Sequence, residues 1–150
     1  MRKAKILTIL GIVFGLAISG YAQDIPLIEP KVENGIRYIT GGVGLEEREA
    51  MQEAFDSGDY NLKIVLATKN GPYLSLVPVR ITDATGKVML ETDQTGPWLY
   101  VNLPRGKYKI TATYNRMERT RTVSVNGGMN MATFYWDYDW ESPDEVRAYK

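Results

Sequence analysis

The sequence predicts a mainly β protein, an antiparallel sandwich of about seven strands with one N-terminal amphipathic helix near Leu45–Phe55. Three observations lead there. Runs of alternating apolar and polar residues recur between Leu62 and Trp136, and a period of two buries one face of a strand and solvates the other. Turn-forming residues punctuate those runs at Asn70-Gly71-Pro72, Asp83 to Gly86, Leu103 to Gly106, Asn115 to Glu118 and Asn126-Gly127-Gly128. Ten tyrosines and many dispersed β-branched residues favour extended backbone. A chain of 150 residues can build one domain with a substantial core, but hardly two.

Met1–Ala22 reads as an export signal. Arg2, Lys3 and Lys5 precede an apolar stretch from Ile6 to Ile18, and Gly20-Tyr21-Ala22 offers small residues at a cleavage site. The stretch is short for a membrane span, so no stable span is expected after cleavage. Cleavage after Ala22 would leave Gln23, not a lipid-accepting cysteine, at the new terminus. The implied destination is periplasmic or secreted. Removing these three cations from a chain with 18 basic and 18 acidic side chains leaves a net charge of −3, which gives no attraction to nucleic acid or an anionic membrane. Without cysteine, the exported chain must rely on core packing alone.

Residues 23–35, with Pro26 and Pro30, read as an extended lead-in, and residues 36–138 as the sandwich. Gly35 to Thr40 suggests a short edge strand. Gly41-Gly42-Val43-Gly44 opens the helix; Glu46, Glu47 and Glu49 suit its positive end, and Ala50, Met51, Ala54 and Phe55 form its apolar stripe. Asp56-Ser57-Gly58 provides the stop, with Gly58 placed for a left-handed cap. Leu62, Ile64 and Leu66 mark the next strand. Val77, Val79 and Ile81 mark another, which Pro78 demotes to an edge or irregular position. Val88 and Leu90 follow the hairpin tip. The central hairpin runs from Gly96 to Tyr114: Trp98 and Tyr100 share one face of its first strand, Pro104 and Gly106 make the corner, with Gly106 free to take a positive φ, and Tyr108, Ile110, Ala112 and Tyr114 alternate along its second strand. Trp98, Tyr100, Tyr108 and Ile110 are expected to point together between the layers. Val123 and Val125 face inward on the returning strand, Met131 to Trp136 is the last strand, and residues 139–150 form an acidic tail.

The pattern Gly96, Trp98, Tyr100, Leu103, Pro104, Gly106, Tyr108 and Ile110 resembles the carboxypeptidase regulatory-like domain, a transthyretin-like (prealbumin-like) sandwich of immunoglobulin-like architecture. Val77 to Val88 resembles that family's opening strands, and the resemblance covers Leu62 to Trp136. It implies a fold. It implies a non-catalytic module, since most members lack activity of their own.

The residues also argue against an enzyme. With no histidine and no cysteine, neither a Ser-His-Asp triad, a thiolate nucleophile nor the usual zinc site can be assembled. Ser57, Ser75, Ser124 and Ser142 have no partner base in view. Asp56-Ser57-Gly58 matches an aspartic-protease tripeptide, but only one copy exists and it ends a helix, whereas that chemistry needs two carboxylates. Gly41 to Gly44 precedes a helix as an anion-binding loop would, yet Glu46 and Glu47 would meet the anion. Thr85-Gly86-Lys87 lacks the rest of a phosphate-loop motif. No cofactor is expected.

Three surfaces are candidates for binding. Asp137, Asp139, Glu141, Asp144 and Glu145 could begin a calcium shell, but they lack the glycine turn and the spaced bidentate acid, so a solvated tail is the reading and no metal site is expected. Arg105, Lys107, Lys109, Arg116, Arg119 and Arg121 cluster on two adjacent strands against Glu118 alone, either as a solvated outer face or as a dock for an acidic partner or polyanionic glycan. Tyr135, Tyr138 and Trp140 could present rings to a protein or a sugar. The resulting expectation is an exported, non-enzymatic module that associates with an unidentified envelope protein or serves a structural role. The alternative is a carbohydrate-binding module using Tyr135, Tyr138 and Trp140.

Overall fold

The computed structural model describes residues 28–137. The export signal, the first residues of the lead-in, Tyr138, Trp140 and the acidic tail lie outside the described residues. Among those described, no helix is long and apolar enough to cross a membrane.

Two sheets and one helix form three layers. The five-stranded sheet contains β1 (Lys31–Glu33), β2 (Ile36–Gly41), β6 (Trp98–Asn102), β3 (Leu62–Thr68) and β9 (Asn130–Trp136), in the order β1-β2-β6-β3-β9. The four-stranded sheet has the order β5-β4-β7-β8, from β5 (Val88–Thr92), β4 (Val79–Asp83), β7 (Gly106–Tyr114) and β8 (Met117–Val125). Leu62, Ile64, Leu66, Leu99, Val101, Phe134 and Trp136 from the first sheet meet Val79, Ile81, Leu90, Tyr108 and Ile110 from the second. This is the expected β-sandwich, with nine strands among the described residues in place of about seven.

The arrangement departs from the sequence expectation in four places. Lys31–Glu33, read as lead-in, pairs with β2 and takes the sheet edge, so β2 lies inside the sheet. β3 and β9 run parallel, Leu62 opposite Asn130 through Thr68 opposite Trp136; the remaining pairs are antiparallel. Pro78 sits just before β4, which is not at an edge but pairs with both β5 and β7; its irregularity is a register shift against β5 between Ile81 and Thr82. Trp98 and Tyr100 do not join the sandwich interior. They face the opposite side of β6, where Tyr100 packs with Ile39, Met51, Phe55 and Tyr60 beneath the helix, while Leu99 and Val101 fill the sandwich. A strand covered on both faces carries apolar residues at every position, so alternation cannot assign its faces.

The helix α1 (Leu45–Asp56) buries Met51 and Phe55, one turn apart, against this second face of the sheet. It has no side-chain cap at Gly44; instead Glu47 turns back and accepts from the Gly42 and Val43 amides, both at 2.9 Å. Its C-terminal end closes as expected, with Gly58 at φ +82 donating to the Phe55 carbonyl.

The central hairpin is fixed by side-chain bonds to its turn. The Tyr108 hydroxyl donates to the Pro104 carbonyl at 2.7 Å, and Asn61 exchanges two hydrogen bonds with the backbone of Leu103. Gly106 is not in the left-handed region; a Cβ there would meet the Tyr108 ring at 3.4–3.5 Å. Gly96 is required for a different reason, because a Cβ would lie 2.5 Å from the Gly41 carbonyl oxygen. Thr40 clamps the same junction, its hydroxyl donating to the Trp98 carbonyl and accepting from the Gly96 amide.

Candidate binding site at the β8–β9 seam

β8 and β9 are the free edges of their two sheets and come together along one side of the sandwich. Two side chains stitch the seam: Trp136 Nε1 donates to the Met117 carbonyl at 2.9 Å, and Arg121 Nε donates to the Thr133 carbonyl at 3.0 Å. Cross-strand partners share a face. Buried Ile110 and Ala112 stand opposite Arg121 and Arg119, so both arginines occupy the inward side of β8. Inward-pointing charges on an edge strand are one way sheets resist edge-to-edge pairing.

A shallow cleft of about 410 Å³ opens there, lined by Lys69, Arg119, Thr120, Arg121, Phe134 and Tyr135. Lys69 follows β3 directly, and its amide bonds the Trp136 carbonyl, so the parallel β3–β9 pair delivers it to the seam. Its ammonium pairs with Asp137 at 2.7 Å. That hydrogen bond, with the Lys69 and Arg119 charges behind it, holds the Asp137 carboxyl below its usual range. Phe134 and Trp136 face the core, whereas the intervening Tyr135 is 48% exposed at the rim. The cleft thus gathers three cations against the Asp137 carboxylate, beside an aromatic ring.

The site residues expected from sequence are sorted by this geometry. Arg119, Arg121 and Tyr135 come together. Arg105 does not: its guanidinium lies against Gly127, beyond the far end of β8. Lys107 and Lys109 are separated from the arginines as well, because they stand opposite Ser124 and Thr122 on the outward side of the ribbon. The basic cluster is therefore split between two faces. Tyr138 and Trp140 lie outside the described residues, as do the acids after Asp137. Lys69 was missed because nothing in its own turn marks it; only the pairing of β3 with a strand near the C-terminus gives it these neighbours.

Two other places have chemical character. The outward face of the four-stranded sheet forms an open groove of about 690 Å³, with Thr82, Thr111, Thr113 and Lys109 beside the Arg80–Glu91 ion pair. Beneath α1, the Lys63 ammonium sits 4.0 Å from the Trp98 ring centroid and 5.3 Å from that of Tyr100. Burial lowers the Lys63 pKa, against the pull of Asp56. Tyr100 is pushed up to about 12 by burial and by Asp56, and neither its hydroxyl nor Trp98 Nε1 has a hydrogen-bond partner among the described residues.

The three motifs weighed for catalysis take structural positions. Asp56-Ser57-Gly58 ends α1. The Gly42 and Val43 amides, which an anion at the glycine loop would need, are held by Glu47. Asp83 Oδ1 accepts from the Thr85 and Lys87 amides and the Thr85 hydroxyl, closing the hairpin tip at Gly86. No group of three metal-ligating side chains occurs among the described residues. No family model matches the chain, and no curated protein matches it.

Proposed function

We propose that this chain is an exported, non-catalytic β-sandwich module of the carboxypeptidase regulatory-like kind that holds an anionic partner in the cell envelope, either in the periplasm or outside the cell. The observation that carries the reading is the convergence of Lys69, Arg119 and Arg121 on one cleft. Arg119 and Arg121 share β8 of the four-stranded sheet, whereas Lys69, some fifty residues earlier in the chain, is brought to them from the end of β3 in the other sheet. Concentrated charge of one sign steers an oppositely charged partner and fixes its orientation. The family assignment draws support from its motif residues: Gly96 permits the close approach of Gly41, Tyr108 ties down the turn at Pro104, and Leu103 and Ile110 are buried. A protein partner is the first reading. A carbohydrate partner is the second, favoured by the exposed Tyr135 ring on the same cleft.

The test uses the tagged full chain expressed in its native host. Fractionation should recover it outside the cytoplasm, with the N-terminal segment removed. Crosslinking and affinity capture should then yield partner material that falls several-fold in the Arg119→Glu/Arg121→Glu double variant. Cytoplasmic retention would contradict the export reading, and undiminished capture by the double variant would contradict the assignment of the surface.

A further inference from the structure

We infer that the β8–β9 cleft is a saccharide site whose ligand is an acidic glycan, a chain of pyranose units bearing carboxylates. The inference rests on the anionic-partner reading above and develops its second, carbohydrate form. Lys69, Arg119 and Arg121 supply donors to carboxylate oxygens, and Asp137 already shows a carboxylate held by Lys69 at 2.7 Å within reach of the Arg119 charge. Tyr135 offers a half-exposed ring at the rim. A pyranose uses these together, with its apolar face on the ring and its carboxylate among the cations.

An acidic peptide fits less well. Peptides that bind along a sheet edge gain affinity from main-chain pairing. Here the Thr133 carbonyl on the β9 edge is taken by Arg121, and the Met117 carbonyl on β8 by Trp136.

The full mature chain is titrated calorimetrically with an oligogalacturonate, with a neutral galacto-oligosaccharide of equal length, and with oligoglutamate. The oligogalacturonate should bind, the neutral sugar should not, and oligoglutamate should be at least tenfold weaker. Tyr135→Ala should weaken oligogalacturonate binding about tenfold, and Arg119→Gln by a similar or larger factor. Both side chains are exposed, so an unchanged melting temperature verifies that each variant is folded. Binding of oligoglutamate as tight as that of oligogalacturonate, or insensitivity to Tyr135→Ala, overturns the saccharide assignment while leaving the anionic-partner reading standing. Absence of binding by either polyanion overturns both.

Discussion

Replacing Gly96 by alanine tests how the two ends of the fold are locked together. The new Cβ would stand 2.5 Å from the Gly41 carbonyl oxygen, 2.7 Å from its Cα and 2.8 Å from its carbonyl carbon. All three obstacles are backbone, so no side chain can rotate away. Relief requires separating β2 from the segment entering β6, which disturbs the Thr40 hydroxyl bonds to Gly96 and Trp98. Overpacking ordinarily costs about 1–3 kcal/mol, and a hydrogen bond lost from a partly buried site adds about 1 kcal/mol. A total near 3 kcal/mol follows, which for a domain of this size lowers Tm by roughly 10–15 °C. Gly128→Ala is the matched control, since nothing lies within 4 Å of its Cβ position and its φ is not in the left-handed region; it should be neutral or slightly stabilising. Chemical denaturation of wild type and both variants at neutral pH measures the difference. A Gly96→Ala variant within 0.5 kcal/mol of wild type, a margin that ordinary surface changes also show, would refute the close approach of these strands.

Tyr100→Phe removes a buried hydroxyl that lacks a hydrogen-bond partner among the described residues, and should raise stability by about 1 kcal/mol in urea unfolding at pH 7. It should also change the alkaline limb. With a folded pKa of about 12 against an ordinary 10, the unfolded chain loses the phenolic proton first, so Tyr100 makes stability fall as pH rises from about 10 to 12. That loss is on the order of 2–3 kcal/mol, and the phenylalanine variant should be flatter over that window; parallel curves would argue against a buried phenol. Glu47→Ala releases the Gly42 and Val43 amides and should cost about 1 kcal/mol, as loss of a helix cap does, with Glu47→Gln recovering part of it. Equal stability of the alanine variant, measured by thermal unfolding, would show that those amides are satisfied elsewhere.

Most of the sandwich was legible because its strands have one wet face. Leu62, Ile64 and Leu66 on β3, and Val79 and Ile81 on β4, are buried as their alternation implies. The helix was legible from Met51 and Phe55 at one-turn spacing and from the glycines that bound it. The third layer was not, since Trp98-Leu99-Tyr100-Val101 is apolar at every position and its faces are decided only by what packs above and below. Nor was the parallel β3–β9 pair, a long-range contact with no local signature. The cleft was half legible. Val123 and Val125 read as inward, and counting back by two puts Arg121 and Arg119 on the same side, away from Lys107 and Lys109. Lys69 could not be found from its surroundings in the chain, because its place beside Arg119 and Tyr135 depends on the long-range pairing.

The claim that the β8–β9 seam is the working surface is tested most directly by site-specific photo-crosslinking in the native host. A photoreactive phenylalanine analogue is placed at Tyr135 on the cleft and, separately, at Thr111 on the outward face of the four-stranded sheet. Position 135 should give a discrete adduct that disappears when Arg119 and Arg121 are both changed to glutamate, and position 111 should give none. Adducts from position 111 with silence at position 135 would contradict the account.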